Sequence, residues 1–318
     1  MLRQSTAGGT RDAGISRRES QARALLRALR PRQWLKNGIV AMAFVFSIGQ
    51  AWLPRHPDTW MPLLARTSLA CIAFALVASS EYLINDLRDL EADRLHPRKR
   101  LRPLAAGTLA PNVAVAAALL LAVLGLSLGA ALAWRFAVLL VVYAASSLAY
   151  SYVLKHLVIV DVLTIAVGFV LRAAAGALVI GVPVSPWLYL CTILGALFLA
   201  ITKRRHELVL LGDGSGAHRA SLDDYTPELL DQMTSIVTAS TVVAYSLYTV
   251  TAENLPANHA MLMTVPFVLY GVFRYLFLVY SRDEGGSPEE LLLRDRPLLI
   301  DIALWLLSAG AILLIFRG

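Results

Sequence analysis

Long apolar runs, separated by short polar or strongly charged connections, dominate the chain from residue 38 to its end. Most of them reach about 20 residues, the length that a helix needs to cross a hydrocarbon core of roughly 30 Å. The runs lack the alternation of apolar and polar residues that strands of a membrane barrel show. They predict nine transmembrane helices, at 38–53, 61–84, 111–133, 135–154, 158–181, 186–202, 232–252, 260–280 and 297–316.

The composition agrees with a membrane protein. Apolar residues make up 57% of the 318 residues and charged residues only 16%, and the mean hydropathy is +0.62. These values lie outside the range of soluble globular domains. The predicted fold class is therefore all-α, a polytopic helical bundle in a membrane.

Lys and Arg are distributed unequally between the two sides of the predicted bundle. If the N-terminus is cytoplasmic, 23 of the 29 basic residues lie on the cytoplasmic side and four on the other side. Positive charge favours the cytoplasmic side, so we expect the even-numbered connections to face the cytoplasm, in a cell (inner) membrane. The net charge of +7 then reflects this topology and an affinity for anionic lipid or phosphate ligands. Nucleic acid is the less favoured partner.

The ends of the chain and its cysteines add little chemistry. Residues 1–27 are polar and basic, and they predict a disordered tail ahead of one transmembrane domain at 28–318. Residues 24–36 could form a short amphipathic helix on the membrane surface. Cys71 and Cys191 both fall inside predicted spans, which argues against a disulfide framework. Whether copies of the chain associate into a homo-oligomer is left open.

Polar chemistry collects at one predicted face. The extracytoplasmic connections, such as "GVPVSP" at 181–186, are short, whereas the cytoplasmic connections at 203–231 and 281–296 are long and charged. A transporter is expected to carry polar groups near the middle of the membrane and to have access from both sides. The pattern favours an enzyme at the cytoplasmic leaflet, and a transporter or lipid-binding protein is the alternative.

The stretch "NDLRDLEAD" at 85–93 places three aspartates at the end of the second predicted span. Asp86, Asp89 and Asp93 are spaced i, i+3 and i+7, so they share one face if the helix continues past the membrane. Carboxylates this close repel one another unless a cation neutralises them, and such oxygen ligands suit Mg²⁺ bound to a substrate phosphate. The alternative is a surface loop of mutual salt bridges. Further candidates for binding the same substrate come from the flanking sequence: Asn85, Lys99 and Arg102.

This stretch resembles the first aspartate-rich motif of the UbiA superfamily of intramembrane prenyltransferases. The resemblance implies a nine-helix bundle with a cytoplasm-facing cavity that binds Mg²⁺ and a diphosphate. Members typically carry a second aspartate-rich motif after the sixth span. This chain departs from the pattern there, with "TKRRHEL" at 202–208.

The departure is similar to one branch, the decaprenyl-phosphate phosphoribosyltransferases. The segments that carry this resemblance are "RPRQWLKN" (30–37), "HPRKRLRPLAAG" (96–107), "VDVLTIAVGFVLRAAAG" (160–176), "KRRHEL" (203–208) and "PEELLLRDRPL" (288–298). The branch implies transfer of a 5-phosphoribosyl group from phosphoribosyl pyrophosphate (PRPP) to a polyprenyl phosphate, for a lipid-linked arabinose donor and the cell wall. A prenyltransferase that uses an aromatic or other lipophilic acceptor is the alternative. A pocket that must gather three phosphate-bearing groups needs cations besides a metal site, and "KRR" would supply them.

The remaining candidates lie where the predicted spans meet the cytoplasmic face or inside a span. They are Lys36, Asn37, Tyr150, Lys155, Asp161, Arg172, Lys203, Arg204 and Glu207. Structural roles compete with ligand binding at several of them. Lys155 could snorkel to the interface, Asp161 could complement a helix dipole, and Arg172 could pair with a distant acid. Lys203 and Glu207 share a helix face and could pair with each other.

Overall fold

The computed structural model describes residues 20–97, 99–211, 222, 224–282, 285–286 and 288–317, and within them the chain folds as a bundle of helices. Four 3₁₀ segments connect the α-helices, at Pro31–Ala41, Lys99–Leu101, Leu154–His156 and Ala260–Thr264. The α-helices are α1 (Gln21–Ala28), α2 (Met42–Phe46), α3 (Pro57–Arg88), α4 (Leu90–Leu95), α5 (Pro111–Leu132), α6 (Trp134–Tyr152), α7 (Val160–Ile180), α8 (Pro186–Leu211), α9 (Pro227–Thr251), α10 (Val265–Arg282), α11 (Pro288–Arg294) and α12 (Arg296–Arg317).

Prolines mark the beginnings of many of these helices. Pro57, Pro111, Pro186 and Pro227 each occupy the first residue of a long helix. Proline is favoured there because its fixed φ suits a helix and its missing N–H would have no partner in the first turn. The predicted spans two to nine agree with the observed helices to within about five residues at each end, except that α8 continues from the predicted end at 202 to Leu211.

The prediction of nine spans is not confirmed. Among the described residues, eight helices are long and apolar enough to cross a membrane, and the stretch expected at 38–53 is not one of them. It consists of the end of the Pro31–Ala41 3₁₀ segment, the short helix α2, and a turn in which Gly49 has φ +79°. The 3₁₀ backbone approaches α7 closely, since a Cβ added to Gly176 would lie 2.0 Å from the Val40 carbonyl oxygen.

The N-terminal segment is ordered earlier than expected. Helix α1 begins at Gln21, inside the predicted tail, and Ser20 caps it by accepting a hydrogen bond from the Arg23 N–H. Ala24 and Ala28 of α1 are buried beside Leu83 of α3. The rest of the predicted tail, residues 1–19, lies outside the described residues.

Close packing of small residues joins the first half of the bundle. Helix α5 packs along α3, and a Cβ on Gly125 would lie 2.8 Å from the Val77 side chain. Phe74 of α3 contacts Phe136 and Tyr143 of α6, with ring centroids 5.8 and 5.3 Å apart. Such packing replaces the hydrophobic driving force that helices lack in lipid.

The chain direction brings the charged sequences to one end of the bundle. The C-terminal ends of α3, α6 and α8 lie there together with the N-terminal ends of α7 and α9, because consecutive long helices run in opposite directions. The candidate residues from distant parts of the sequence therefore meet at this end.

Candidate active site

Two buried aspartates and one arginine form the centre of the first polar cluster. Asp86 and Asp93 are each only 2% exposed. Nη1 of Arg102 donates to Oδ1 of Asp86 at 3.1 Å and to Oδ2 of Asp93 at 2.6 Å. Arg30 also donates to Oδ1 of Asp86. The repulsion expected between the carboxylates is thus offset by arginines from two other parts of the chain.

The helix is interrupted at Asp89 within the aspartate motif, so the continuous helix on which one shared face was predicted does not form. Helix α3 ends at Arg88 and α4 begins at Leu90, with Asp89 between them at φ −88° and ψ 11°. Asp89 remains near enough to Asp86 to interact with it electrostatically, and its side chain is 36% exposed, with Oδ1 3.8 Å from Nε of Arg88. Asn85, one turn before the break, is half-buried.

Arg30 belongs to the segment "RPRQWLKN" but was not among the predicted site residues, because it also resembles an ordinary membrane-surface anchor. It precedes the 3₁₀ segment with φ 54° and ψ 61°, in the left-handed region that non-glycine residues seldom adopt. Its guanidinium lies 4.9 Å from the centre of the Tyr82 ring. The unusual backbone conformation directs the chain from α1 towards the aspartates.

Arg88 connects the aspartate motif to the end of α6. Its Nη1 donates to the Ser151 carbonyl at 2.6 Å, and its guanidinium lies 4.0 Å from the centre of the Tyr152 ring. Ser151 and Tyr152 belong to the segment "YSYVLKH" (150–156), which also contains the predicted site residues Tyr150 and Lys155. Lys155 follows in the 3₁₀ segment and is half-buried, as is Lys36 in the first 3₁₀ segment.

The basic turn after α4 is exposed. Lys99 begins a short 3₁₀ segment, and its backbone N–H donates to Nδ1 of His96 at 3.2 Å. The Lys99 side chain is exposed, whereas the Arg102 side chain donates hydrogen bonds to the buried aspartates. The sequence predicted both residues as candidates for substrate binding, and of the two it is Arg102 that contacts the aspartates.

Arg204 is the centre of the second polar cluster and is 2% exposed. Its Nε donates to Oδ2 of Asp161 at 2.7 Å, and its Nη1 donates to Glu207 at 2.6 Å. Its Nη2 donates to the Tyr150 hydroxyl at 2.8 Å. Three helices, α6, α7 and α8, meet at this one guanidinium.

The structure separates the three cations of "KRR". Arg204 is neutralised inside the second cluster, and Arg205 pairs with Asp231 of α9 on another side of α8. Lys203 is half-buried and makes no ion pair within the described part of the chain. The observed i,i+3 partner of Glu207 is Arg204. The cationic half expected from the sequence therefore rests mainly on Lys203.

A third network lies deeper in the bundle. Arg172 of α7 donates from Nε to the Asn37 side-chain oxygen at 3.1 Å and from Nη2 to the Tyr143 hydroxyl at 2.7 Å. Glu81 of α3 is near enough to interact electrostatically with Arg172, and its Oε1 has no hydrogen-bond partner among the described residues. Arg172 thus holds the first 3₁₀ segment, through Asn37, against α6 and α7.

Sequence reasoning did not predict Glu81 and Tyr143 of this network, or Tyr225, whose hydroxyl donates to Oδ1 of Asp161 at 2.8 Å. Glu81 is the one with a local signal, since it is a lone acid inside an apolar run. The tyrosines resemble ordinary core or interfacial residues until their hydroxyl contacts are known.

The oxygen ligands of the first cluster are chemically suited to a divalent cation. Within the described residues, no three His, Cys, Asp or Glu side chains converge closely enough to hold a metal ion by themselves. Mg²⁺, however, usually takes only one or two carboxylates and completes its shell with water and substrate phosphate. Asp86, Asp93, Asp89 and the Asn85 amide offer such ligands beside cations that could contact a phosphate.

Comparisons with known proteins show which family this chain resembles. A model described as the UbiA prenyltransferase family matches residues 40–292. The decaprenyl-phosphate phosphoribosyltransferase of Mycolicibacterium smegmatis is 37% identical over 298 residues, which cover 90% of this chain and 91% of that protein. The protein of the same name from Mycobacterium tuberculosis (strain H37Rv) is 35% identical over 289 residues, covering 90% and 93%.

Solved structures show the same fold. A UbiA homolog from Archaeoglobus fulgidus, bound to DMAPP and Mg²⁺, superposes with a TM-score of 0.69 over 92% of this chain and 99% of that one, at 23% identity. The complex with GPP and Mg²⁺ gives a TM-score of 0.68. The resemblance inferred from the sequence is confirmed: this chain is an integral membrane protein that belongs to the UbiA prenyltransferase family.

Proposed function

We propose that this protein transfers the 5-phosphoribosyl group of PRPP to a polyprenyl phosphate such as decaprenyl phosphate and releases pyrophosphate. The observation that carries the proposal is the likeness, at 37% identity over nine tenths of both chains, to a decaprenyl-phosphate phosphoribosyltransferase. The departure of "KRRHEL" from an acidic second motif supports it, because the additional phosphates of donor and acceptor need cations. The product would serve a lipid-linked arabinose donor in cell-wall synthesis.

The diphosphate of the donor is assigned to the first cluster. Asp86, Asp89 and Asp93, with Asn85, would hold Mg²⁺, which when bound neutralises charge on the diphosphate and on the pyrophosphate that leaves. Arg102 and Arg30 already contact these acids and are each about 30% exposed on their side chains. They can turn towards phosphate oxygens while the carboxylates bind the cation. Lys99 lies on the exposed side of the same turn and extends the positive rim.

The second cluster is assigned to the remaining polar groups of the substrates. Lys203 and Lys155 supply charge for phosphate, and Tyr150 and Glu207 present polar atoms beside Arg204. Asp161 holds Arg204 in place by accepting a hydrogen bond from its Nε. Lys36 and Asn37 belong to the same 3₁₀ segment, and Arg172 holds that segment through its bond to Asn37. We therefore assign Arg172 and Asn37 to positioning Lys36 for a substrate.

The transfer exchanges one C–O bond for another at the anomeric carbon of ribose. The bond from C1 to the diphosphate oxygen breaks, its electron pair leaves with pyrophosphate, and an oxygen of the acceptor phosphate bonds to C1. The carboxylates near C1 stabilise positive charge that develops on the sugar. The acceptor phosphate is already an anion, so the residues need to orient it and no strong base is required.

The orientation in the membrane is also proposed. Both polar clusters lie at the end of the bundle whose connections carry most of the Lys and Arg, and we assign that end to the cytoplasm in the inner membrane. A membrane-impermeant maleimide would test this with K99C and, at the opposite end, R55C, both in a background with Cys71 and Cys191 replaced. We expect R55C to react in intact spheroplasts and K99C only in inside-out vesicles. The reverse pattern would contradict the orientation.

A turnover assay tests the reaction. Purified protein in detergent would receive Mg²⁺, radiolabelled PRPP and decaprenyl phosphate, and label would be counted in the organic phase with and without EDTA. Label that requires Mg²⁺ is the expected result. Consumption of a prenyl diphosphate with an aromatic acceptor, and no transfer from PRPP, would instead assign the ordinary activity named by the family model.

A further inference from the structure

The chain enters α7 through an unusual turn. Ile159 has φ 69° and ψ −45°, and the N–H of Val160 donates to the Val158 carbonyl at 2.8 Å, so the three residues form a γ-turn with positive φ. This conformation is strained and is least suited to a β-branched residue. Strained backbone of this kind persists only where surrounding contacts hold it, and it often occurs at functional sites.

One hydroxyl group holds the turn and the first residues of α7. The Tyr225 hydroxyl accepts the Ile159 N–H at 2.7 Å and donates to Oδ1 of Asp161 at 2.8 Å. Tyr225 is 3% exposed, and its ring packs among Val162, Ile201 and other apolar residues. Burial raises the pKa of Tyr225 to about 12, so the group remains an O–H donor at neutral pH.

Asp161 links Tyr225 to Arg204 and, through Arg204, to the more accessible side chains of the second cluster. Because Tyr225 binds Oδ1, the carboxylate presents Oδ2 to Nε of Arg204 at 2.7 Å. Arg204 then directs its two terminal nitrogens to Glu207 and Tyr150. The Glu207 side chain is 29% exposed, whereas Arg204 and Asp161 are buried. The orientation of the accessible groups thus depends on a carboxylate whose own orientation is fixed by one phenol.

We propose that Tyr225 is a positioning residue for the second cluster and acts through Asp161 on Arg204. The inference rests on the proposed function for its substrate, PRPP, and on the geometry alone for the positioning. The phenol makes no contact with the first cluster among the described residues. Its loss therefore weakens the binding of the PRPP groups assigned to the second cluster more than it slows the bond-making step at ribose C1.

The test is Tyr225→Phe, compared with Tyr245→Phe as a matched control. The Tyr245 hydroxyl is equally buried and also has two partners, Thr264 and Trp305, each at 2.7 Å, but it lies in the C-terminal half of α9, away from the site. We expect Tyr225→Phe to raise KM for PRPP about tenfold with kcat within about threefold, since the lost bond is to a charged group. Tyr245→Phe should leave KM unchanged. Equal KM for both variants and the wild type would overturn the proposal.

Two further measurements separate positioning from a general loss of stability. If Tyr225 acts through Asp161, the double variant D161N/Y225F should bind PRPP no worse than D161N alone, and additive losses would contradict the proposal. Hydrogen–deuterium exchange needs no substrate. Peptides that cover 157–165 should exchange faster in Y225F and unchanged in Y245F. Unaltered exchange in Y225F refutes the positioning role, whereas failure of wild-type protein to transfer label from PRPP refutes only the proposed reaction.

Discussion

The two polar clusters lie at the same end of the bundle but balance their charges in different ways. In the first cluster, Asp86 and Asp93 are buried while their arginine partners are about 30% exposed. In the second, the arginine itself is buried, and three side chains from α6, α7 and α8 surround it. The first arrangement leaves cations at a surface from which they can turn to a ligand, and the second fixes them inside the fold.

The difference follows from the local backbone. The first cluster forms where α3 breaks at Asp89 and where Arg30 and Arg102 arrive from irregular segments. The second forms inside regular helices, whose side-chain directions are fixed. We infer that the arginines of the first cluster exchange their carboxylate partners for substrate phosphates. We also infer that Arg204 of the second cluster keeps its partners and holds the surrounding side chains in position.

The largest expected effect is at Asp86. Asp86→Asn keeps the size of the side chain but removes the charge that Arg30 and Arg102 contact and a ligand for Mg²⁺. We expect turnover in the PRPP assay to fall by more than about a thousandfold while the protein remains folded, because a developing charge loses its main stabilisation. Asp58→Asn, an exposed aspartate in the first turn of α3, is the control. Full activity of purified Asp86→Asn would rule out the metal-binding role.

The second cluster should respond in stability first. Arg204→Met leaves Asp161 and Glu207 without their cation, and breaking a buried ion pair costs about 3–5 kcal/mol. The thermal midpoint of the protein in detergent should drop by roughly 5–10 °C. Arg66→Met, which removes only a bond to the Leu132 carbonyl, should change it little. Wild-type stability of Arg204→Met with a raised KM would mean that Arg204 is a binding residue and not a support.

Lys203 and Arg205 lie two residues apart, but we expect a binding role for Lys203 and a structural role for Arg205. Lys203→Ala should raise KM for PRPP about tenfold with little change in stability, since no ion pair holds this lysine within the described part of the chain. Arg205→Ala removes the pair with Asp231 and a contact with the Tyr280 ring, 4.1 Å away, so it should lower the thermal midpoint and leave KM unchanged. An unaltered KM for Lys203→Ala would remove that residue from the binding site.

Much of the fold was predictable because apolar runs and prolines at helix starts are local signals. The break at Asp89 was not, since "NDLRDLEAD" is compatible with a continuous helix and only tertiary contacts of Asp86 and Asp93 select the broken form. The hydrogen bonds from Arg30 to Asp86 and from Tyr225 to Asp161 could not be predicted either, because each joins positions far apart in sequence. The residue types led to the prediction of a metal- and phosphate-binding site, whereas the pairing of its side chains required the structure.

The smallest expected effect tests whether the two clusters communicate. Arg88 lies between Asp86 and Asp89 and contacts the Tyr152 ring, and Tyr152 lies two residues from Tyr150 of the second cluster. A cation–π contact at an exposed site contributes about 0.5–1 kcal/mol, so Tyr152→Leu should reduce kcat/KM for PRPP about two- to fivefold. Tyr152→Phe keeps the ring and should retain activity.

Trp134→Leu removes a similar contact, with Arg135 at 5.5 Å, from the opposite end of α6 and is the control for loss of an aromatic surface. If Tyr152→Leu and Trp134→Leu reduce kcat/KM equally, the effect belongs to the helix surface and the clusters act separately. If Tyr152→Leu alone has an effect and Tyr152→Phe has none, the contact between Arg88 and the Tyr152 ring couples the first cluster to the second.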